Sequence, residues 1–284
     1  MGSSVEYTAL HCVSNFSFLR GASHPEELVA TADKLGYQAI AITDECTMSG
    51  IVRAHLAAKQ YKVKLIVGSE FILEDKLHCI LLATDRTAYG KICQLITQAR
   101  MHEEKGFYRL QRTTIEKFDL SSCLAIWKPH SQIDATELSW LKEQTSCWIA
   151  VDYNFYGFDK QRRQYLAHIS HQFDTPLVAC PTIKMHRAER QPLLDTLTAI
   201  RLNQPIHQLG YALSLNAESH LRTLPHLKKI YGVDLLQQTQ LINDRCHFSL
   251  TELRYEYPQE LVPNTETPSS YLRHLTMAGA QQRW

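Results

Sequence analysis

The sequence predicts an α/β fold: a distorted seven-stranded β/α barrel followed by a mainly helical C-terminal extension. Three observations predict it. Short runs of Val, Ile, Leu and Ala alternate with stretches of helical periodicity over roughly the first 205 residues. Several runs are continuously apolar, the pattern of strands buried on both faces. Seven such alternations favour a barrel over an open sheet, although periodicity alone does not separate closure from a doubly wound arrangement.

The strands are expected at Tyr7–Cys12, Gln38–Thr43, Lys64–Phe71, Leu77–Ala83, Ser122–Trp127, Cys147–Val151 and Pro176–Cys180. The first helix is announced by Ser23-His24-Pro25-Glu26. Ser23 is expected to cap it, Pro25 to open it and Glu26 to complete a capping box. Leu28, Val29, Ala32 and Leu35 follow helical spacing, and Gly36 ends the helix. Further helices are expected over Ser49–Gln60, Arg86–Arg100, Ala135–Gln144, Asp159–Phe173 and Arg190–Arg201. Beyond the alternation, Asn216-Ala217-Glu218 is expected to open a short helix ending before Pro225, with another stretch over Asp234–Arg245. The segment Pro263–Pro268 reads as a linker ahead of a last helix over Ser269–Gln282. The expected division is a disordered start over 1–5, where Gly2-Ser3-Ser4 resembles a cloning scar, a barrel over 6–210 and an extension over 211–284. An end at Trp284 without a cap or polar tail reads as a cut within a longer protein.

A chain of 284 residues with 44% hydrophobic content suits one large domain with a small appendage. Thirty Lys and Arg against 29 Asp and Glu leave a net charge of +1, so a nucleic-acid surface would have to be a local patch. No apolar run approaches the roughly 18 residues of a membrane span, no secretory leader is visible, and a cytoplasmic location is expected. Cys12, Cys46, Cys79, Cys93, Cys123, Cys147, Cys180 and Cys246 form no Cys-x-x-Cys pair, and most sit in apolar runs. They read as reduced, buried thiols.

In a barrel the chemistry sits at the C-terminal ends of the strands. His11, Asp44, Glu45, Glu70 and His186 fall at such ends, whereas His78 is placed near the start or middle of its strand. His11, Asp44, Glu45, Glu70 and His78 are ligand types for Zn²⁺ or Mn²⁺, and metal-assisted hydrolysis would need several of them to converge around an open position. Taken singly, a core histidine at 78 and a strand-end cap at Glu70 are the ordinary readings. A His-x-His pair at a strand end would put two imidazoles on one side; here the second position is Val13. Arg187, Arg190 and Arg201, beside Lys184 and His186, could form a patch facing phosphate or DNA. The ordinary alternative is a solvated helix face pairing with Glu189 and Asp195. The aromatic run from Trp148 to Phe158 could stack single-stranded nucleic acid, although core packing is the commoner use. No Gly-x-Ser-x-Gly elbow and no glycine-rich phosphate loop is present.

The run from His11 to Leu28, the blocks Ala41-Ile42-Thr43-Asp44-Glu45-Cys46 and Gly68-Ser69-Glu70-Phe71, the run from Leu194 to Leu202 and the run from Leu250 to Pro258 resemble one family. It is the bacterial C-family error-prone DNA polymerases, the DnaE-like translesion type also called ImuC. The resemblance spans the whole chain and implies a PHP domain (polymerase and histidinol phosphatase), with the passage toward a polymerase core from about Tyr211. It implies a parent that is a DNA-directed DNA polymerase, a nucleotidyltransferase extending DNA past lesions with Mg²⁺ in a core absent here. It also implies mutasome partners: a Y-family-like polymerase homologue, a RecA-like accessory protein and the sliding clamp.

Family members with an intact site hold a metal cluster and hydrolyse phosphoesters. Against that pattern His11, Glu70 and His78 match, while Val13, Arg20, Glu45, Thr182 and Lys184 stand where the family has ligands. The expectation is a vestigial pocket of His11, Val13, Arg20, Asp44, Glu45, Glu70, His78, Thr182 and Lys184. In it the basic groups replace metals and pair with Glu45, Glu70 and Asp44. No catalytic residue and no metal is expected; any metal would be Zn²⁺ or Mn²⁺ on His11, Glu45, Glu70 and His78. The domain is expected to support the polymerase core. The alternatives are an active phosphoesterase or 3′→5′ exonuclease, and a DNA-binding module.

Overall fold

The first strand runs straight from an apolar start into the polar rim of a curled sheet. The computed structural model describes residues 6–130, 133–254, 262–263 and 265–284. Seven strands pair in chain order: β1 (Thr8–Cys12), β2 (Ala39–Ile42), β3 (Lys64–Ile72), β4 (His78–Ala83), β5 (Cys123–Trp127), β6 (Ser146–Val151) and β7 (Leu177–Ala179). Side chains alternate between the two faces. Leu10, Ala41, Ile66, Leu82, Ile126, Ala150 and Val178, one from each strand, meet in a single buried cluster. One cluster fed by all seven strands requires the sheet to curl around it. The other face, with Ile40, Val67, Leu81 and Ile149, packs on helix residues such as Leu28 and Ile92. Both faces are covered, which is why the strands read as unbroken apolar runs.

The strand directions differ from a uniform β/α barrel. β1, β2 and β3 are parallel, as are β5, β6 and β7, but β4 is antiparallel to both β3 and β5. The reason lies in the connection. Only a tight turn separates β3 from β4, closed by the Leu73 N–H donating to the Leu77 carbonyl at 2.8 Å, with no crossover helix to restore the direction.

The helices are α1 (Pro25–Lys34), α2 (Ile51–Ala58), α3 (Arg86–Arg100), α4 (Arg112–Ile115), α5 (Ala135–Gln144), α6 (Asp159–Gln172) and α7 (Gln191–Leu202). Asp85 caps α3 by accepting from the Ala88 N–H at 2.8 Å, and Asp134 caps α5 by accepting from the Thr136 N–H at 2.9 Å. The cap of α1 is His24, one residue later than expected, and its N–H donates to Glu27 at 2.9 Å. Ser23 is drawn away because its hydroxyl bonds His186. No helix forms over 216–218; the next helix, α8 (Leu224–Arg245), starts six residues further on, with Pro225 inside its first turn. Proline suits that position because its missing N–H would have no helical partner anyway, so it opens this helix rather than ending one. Gly232, at φ 79°, interrupts α8.

The seam between β1 and β7 is closed at both ends. At the rim, Ile183 donates to the His11 carbonyl at 3.0 Å and accepts from the Val13 N–H at 2.8 Å. At the far end α8 packs on both strands, and Thr239 Oγ1 accepts from the Thr8 N–H at 3.1 Å. Ile242 and Cys246 complete the interior cluster. The chain accordingly divides into compact units Met1–Glu252 and Leu253–Trp284. Helix α8 supplies part of the core of the first unit. Within the second unit, α9 (Pro268–Arg283) is capped by Thr267, whose hydroxyl accepts from the Ser270 N–H at 3.2 Å. The expected start over 1–5, part of the run Leu250–Pro258 and part of the linker lie outside the described residues. Among the described residues no helix is long and apolar enough to cross a membrane, and the eight cysteines are free thiols, with Cys93 half-buried and the others buried.

Candidate functional site

The polar residues gather at the rim formed by the C-terminal ends of the parallel strands. The antiparallel course of β4 brings its first residue, His78, to that same rim, opposite Ile72 at the end of β3. An irregularity in the β1–β2 pairing between Ala9 and Cys12 accompanies the inward turn of His11. Both imidazoles then reach one carboxylate. His78 Nε2 lies 2.5 Å and His11 Nε2 3.1 Å from Glu70 Oε1. His11 Nδ1 lies within hydrogen-bond distance of the Thr43 hydroxyl at 2.8 Å, and its Nε2 faces the carboxylate. Burial and the nearby Lys128 charge lower the His11 pKa to about 4, so the ring is neutral near pH 7. Burial alone would raise Glu70, but the two histidines hold it well below the usual carboxylate range.

A cavity of about 250 Å³ opens beside this carboxylate, with Val13, Arg20, Glu70, His78, Thr182, Lys184 and Arg201 among its lining residues. Arg20 Nε forms an ion pair with Glu45 Oε2 at 2.8 Å, and the Tyr108 hydroxyl donates to Glu45 Oε1 at 3.0 Å. Lys128 donates to Thr182 Oγ1 at 2.6 Å and stands 3.7 Å from Asp152 Oδ2. Thr182 in turn donates to Asp152 at 2.9 Å. Lys184 is half-buried at the same cavity; burial lowers its pKa, and Glu70 pulls the other way.

Asp44 faces away from these cations. It accepts from the N–H and hydroxyl of Ser14 at 2.8 and 2.6 Å, and from those of Ser17 at 3.2 and 2.7 Å. Its task is to fold the loop that carries Arg20. Gly21 completes that loop, since a Cβ there would sit 2.2 Å from the Ser14 carbonyl oxygen. The expected pairing of basic groups with three carboxylates is therefore seen as an ion pair only at Glu45. Glu70 is engaged by histidines and Asp44 by serines, and no ion pair joins Lys184 to either.

A divalent cation needs several anionic or imidazole donors turned toward an open position. Here the donors face each other, and Arg20, Lys128, Lys184 and Arg201 crowd the same rim. Like charges about 4 Å apart repel by roughly 4 kcal/mol at an intermediate effective dielectric. Among the described residues no group of His, Cys, Asp or Glu is arranged to hold a metal ion.

A family model described as "PHP domain" matches residues 9–166. The chain belongs to the PHP-domain family. It is 50% identical over 280 residues to an error-prone DNA polymerase of Methylococcus capsulatus, covering 98% of this chain and 27% of that protein. It is 46% identical to the error-prone DNA polymerase of Dechloromonas aromatica (98% and 28% covered) and 45% identical to that of Pseudomonas aeruginosa (98% and 27%). The chain thus spans little more than a quarter of the length of these relatives.

Other residues singled out in the sequence lie elsewhere in the chain. His186 accepts from the Ser23 hydroxyl at 2.8 Å, away from the cavity. Arg190 pairs with Glu27 of α1 rather than with Glu189 or Asp195, Arg187 is exposed, and only Arg201 of the three arginines reaches the cavity. The aromatic run splits, with Trp148 buried while Phe155, Tyr156 and Phe158 are exposed. Lys128, Asp152 and Tyr108 were missed. The first two stand one residue past the ends of β5 and β6, so the strand-end rule applied to every strand would have found them. Tyr108 sits in an irregular segment and carries no such signal.

Proposed function

We propose that this PHP domain is the N-terminal part of an error-prone DNA polymerase, that its rim pocket neither holds a metal nor hydrolyses phosphoesters, and that it serves as a rigid support for the polymerase core. Mutasome proteins, the sliding clamp and DNA are engaged through the parent, in the cytoplasm, and Mg²⁺ belongs to the core. The support for the family part is the similarity to error-prone polymerases along nearly the whole chain. The support for a metal-free pocket is the Arg20–Glu45 ion pair at 2.8 Å, which places a guanidinium on the carboxylate that would have to serve as a ligand. Elemental mass spectrometry after dialysis against Mn²⁺ and Zn²⁺, with an exonuclease assay in Mn²⁺, tests this reading. The expected result is far less than one metal per chain and no hydrolysis. Near-stoichiometric metal, or nuclease activity abolished by Glu70→Ala, would show that the second reading, a metal-dependent phosphoesterase, is right. The observation favouring that second reading is the convergence of His11, Glu70 and His78 on one point.

A further inference from the structure

Helix α7 is apolar on two sides and covered on one. It buries Leu194 and Thr198, and Leu194 meets Ala22 and Met185 in a small cluster separate from the main core. Leu193, Ile200 and Leu202 of the same helix are exposed, Ile200 to 59%. The exposure continues past the helix. From Ile200 to Ala212 only Leu209 is buried, and Ile206 and Tyr211, the latter 95% exposed, stand in this stretch. Its backbone is nevertheless regular. Two single turns, Ile206–Gln208 and Gly210–Ala212, are closed by the Gln208 N–H donating to the Pro205 carbonyl and the Ala212 N–H donating to the Leu209 carbonyl, both at 2.9 Å. The first turn packs back on α7, and Ala212 and Ser214 stand beside Arg201, so the helix and the turns form one surface. A helix with large apolar side chains beyond the stripe it buries is built to meet a second partner, and a concentration of such side chains marks a binding surface.

We infer that this surface, the outer side of α7 with the turns that follow it, seats the polymerase part of the same polypeptide. The inference rests on the reading of this domain as the N-terminal part of an error-prone polymerase, and it names the face on which the core is supported. In that reading the parent is much longer than this chain, which spans 27% of the Methylococcus capsulatus relative. A tethered partner meets such a face at an effective concentration that a free partner rarely reaches. The character of the surface points the same way. Interfaces that exchange partners are about as polar as the rest of a protein surface, whereas permanent ones are richer in apolar side chains. Leu193, Ile200, Leu202, Ile206 and Tyr211 make a surface of the permanent kind.

The test uses the full-length protein, assayed first for primer extension. In one arm a photo-crosslinker is introduced as Tyr211→p-benzoylphenylalanine, and crosslinked peptides are identified by mass spectrometry. Mixing isotope-labelled with unlabelled protein separates crosslinks within a chain from those between copies. In the other arm nitration of the natural Tyr211 by tetranitromethane is followed. The expected result is crosslinks within one polypeptide, from position 211 to the chain that follows Trp284, and nitration of Tyr211 about tenfold or more slower in the native protein than in urea. No crosslink, crosslinks only to the domain itself, to a second copy or to another protein, or nitration as fast as in urea, in a protein that extends primers, overturns this inference alone. A full-length protein that does not extend primers overturns the reading on which it rests, and this inference with it.

Discussion

His11 shows what burial does to a single group. Its ring is fully buried between Thr43 and Glu70, and its pKa falls from 6.5 to about 4. The unfolded chain takes up a proton near pH 6.5, while the folded one resists until about pH 4. Stability from a neutral His11 is therefore complete above pH 6.5 and is lost progressively as pH falls toward 4, by ~3 kcal/mol in all. Glu70, held below its ordinary value of 4.5, adds loss in the same direction at still lower pH. Urea unfolding at pH 5 should show about 2 kcal/mol less stability than at pH 7, and His11→Gln should flatten that slope; an equally steep slope in the variant would contradict the assignment. The residue types of this site, including Val13, Arg20 and Lys184, were legible in the sequence. The role of Asp44 was not, because a carboxylate after a strand looks the same whether it faces a cation or four serine donors.

The β3–β4 hairpin is the element that shapes the site. It reverses one strand and thereby delivers His78 to the rim. Gly68 allows the two strands to approach, since a Cβ there would lie 2.5 Å from the Leu81 carbonyl oxygen and 2.7 Å from Leu82. Gly68→Ala should cost about 1–3 kcal/mol in urea unfolding. Gly90→Ala, in α3 with nothing within 4 Å of the added methyl, should be neutral or stabilise by about 0.5–1 kcal/mol. Equal effects of the two would remove the packing explanation. Strand positions were legible because apolar runs mark them within a residue or two. The direction of β4 was not, since a two-residue period is the same for a strand running either way. Pro225 misled for a related reason, as proline marks helix starts and stops alike.

On the scale of the molecule, α8 makes the curled sheet a stable body. It closes the seam between β1 and β7 and adds Ile242 to the interior cluster. A chain ending after residue 210 would leave that cluster open to water. It should lose cooperative thermal unfolding and near-ultraviolet circular dichroism, whereas a chain ending after residue 252 should keep both. A cooperative 1–210 chain with the stability of the longer one would show that α8 is dispensable.

The sequence by itself determined the seven strands, most of the helices, the membership in the PHP-domain family and the residue types at the rim. These follow from local periodicity and from motifs that need no partner. The tertiary structure alone decided which way β4 runs, how the seam closes and which charges are satisfied. Arg20 finds Glu45, Lys128 finds Thr182, and Lys184 finds neither carboxylate. Burial patterns along a chain record that a side chain is covered, but pairing across long stretches of sequence is set by how the covered faces meet.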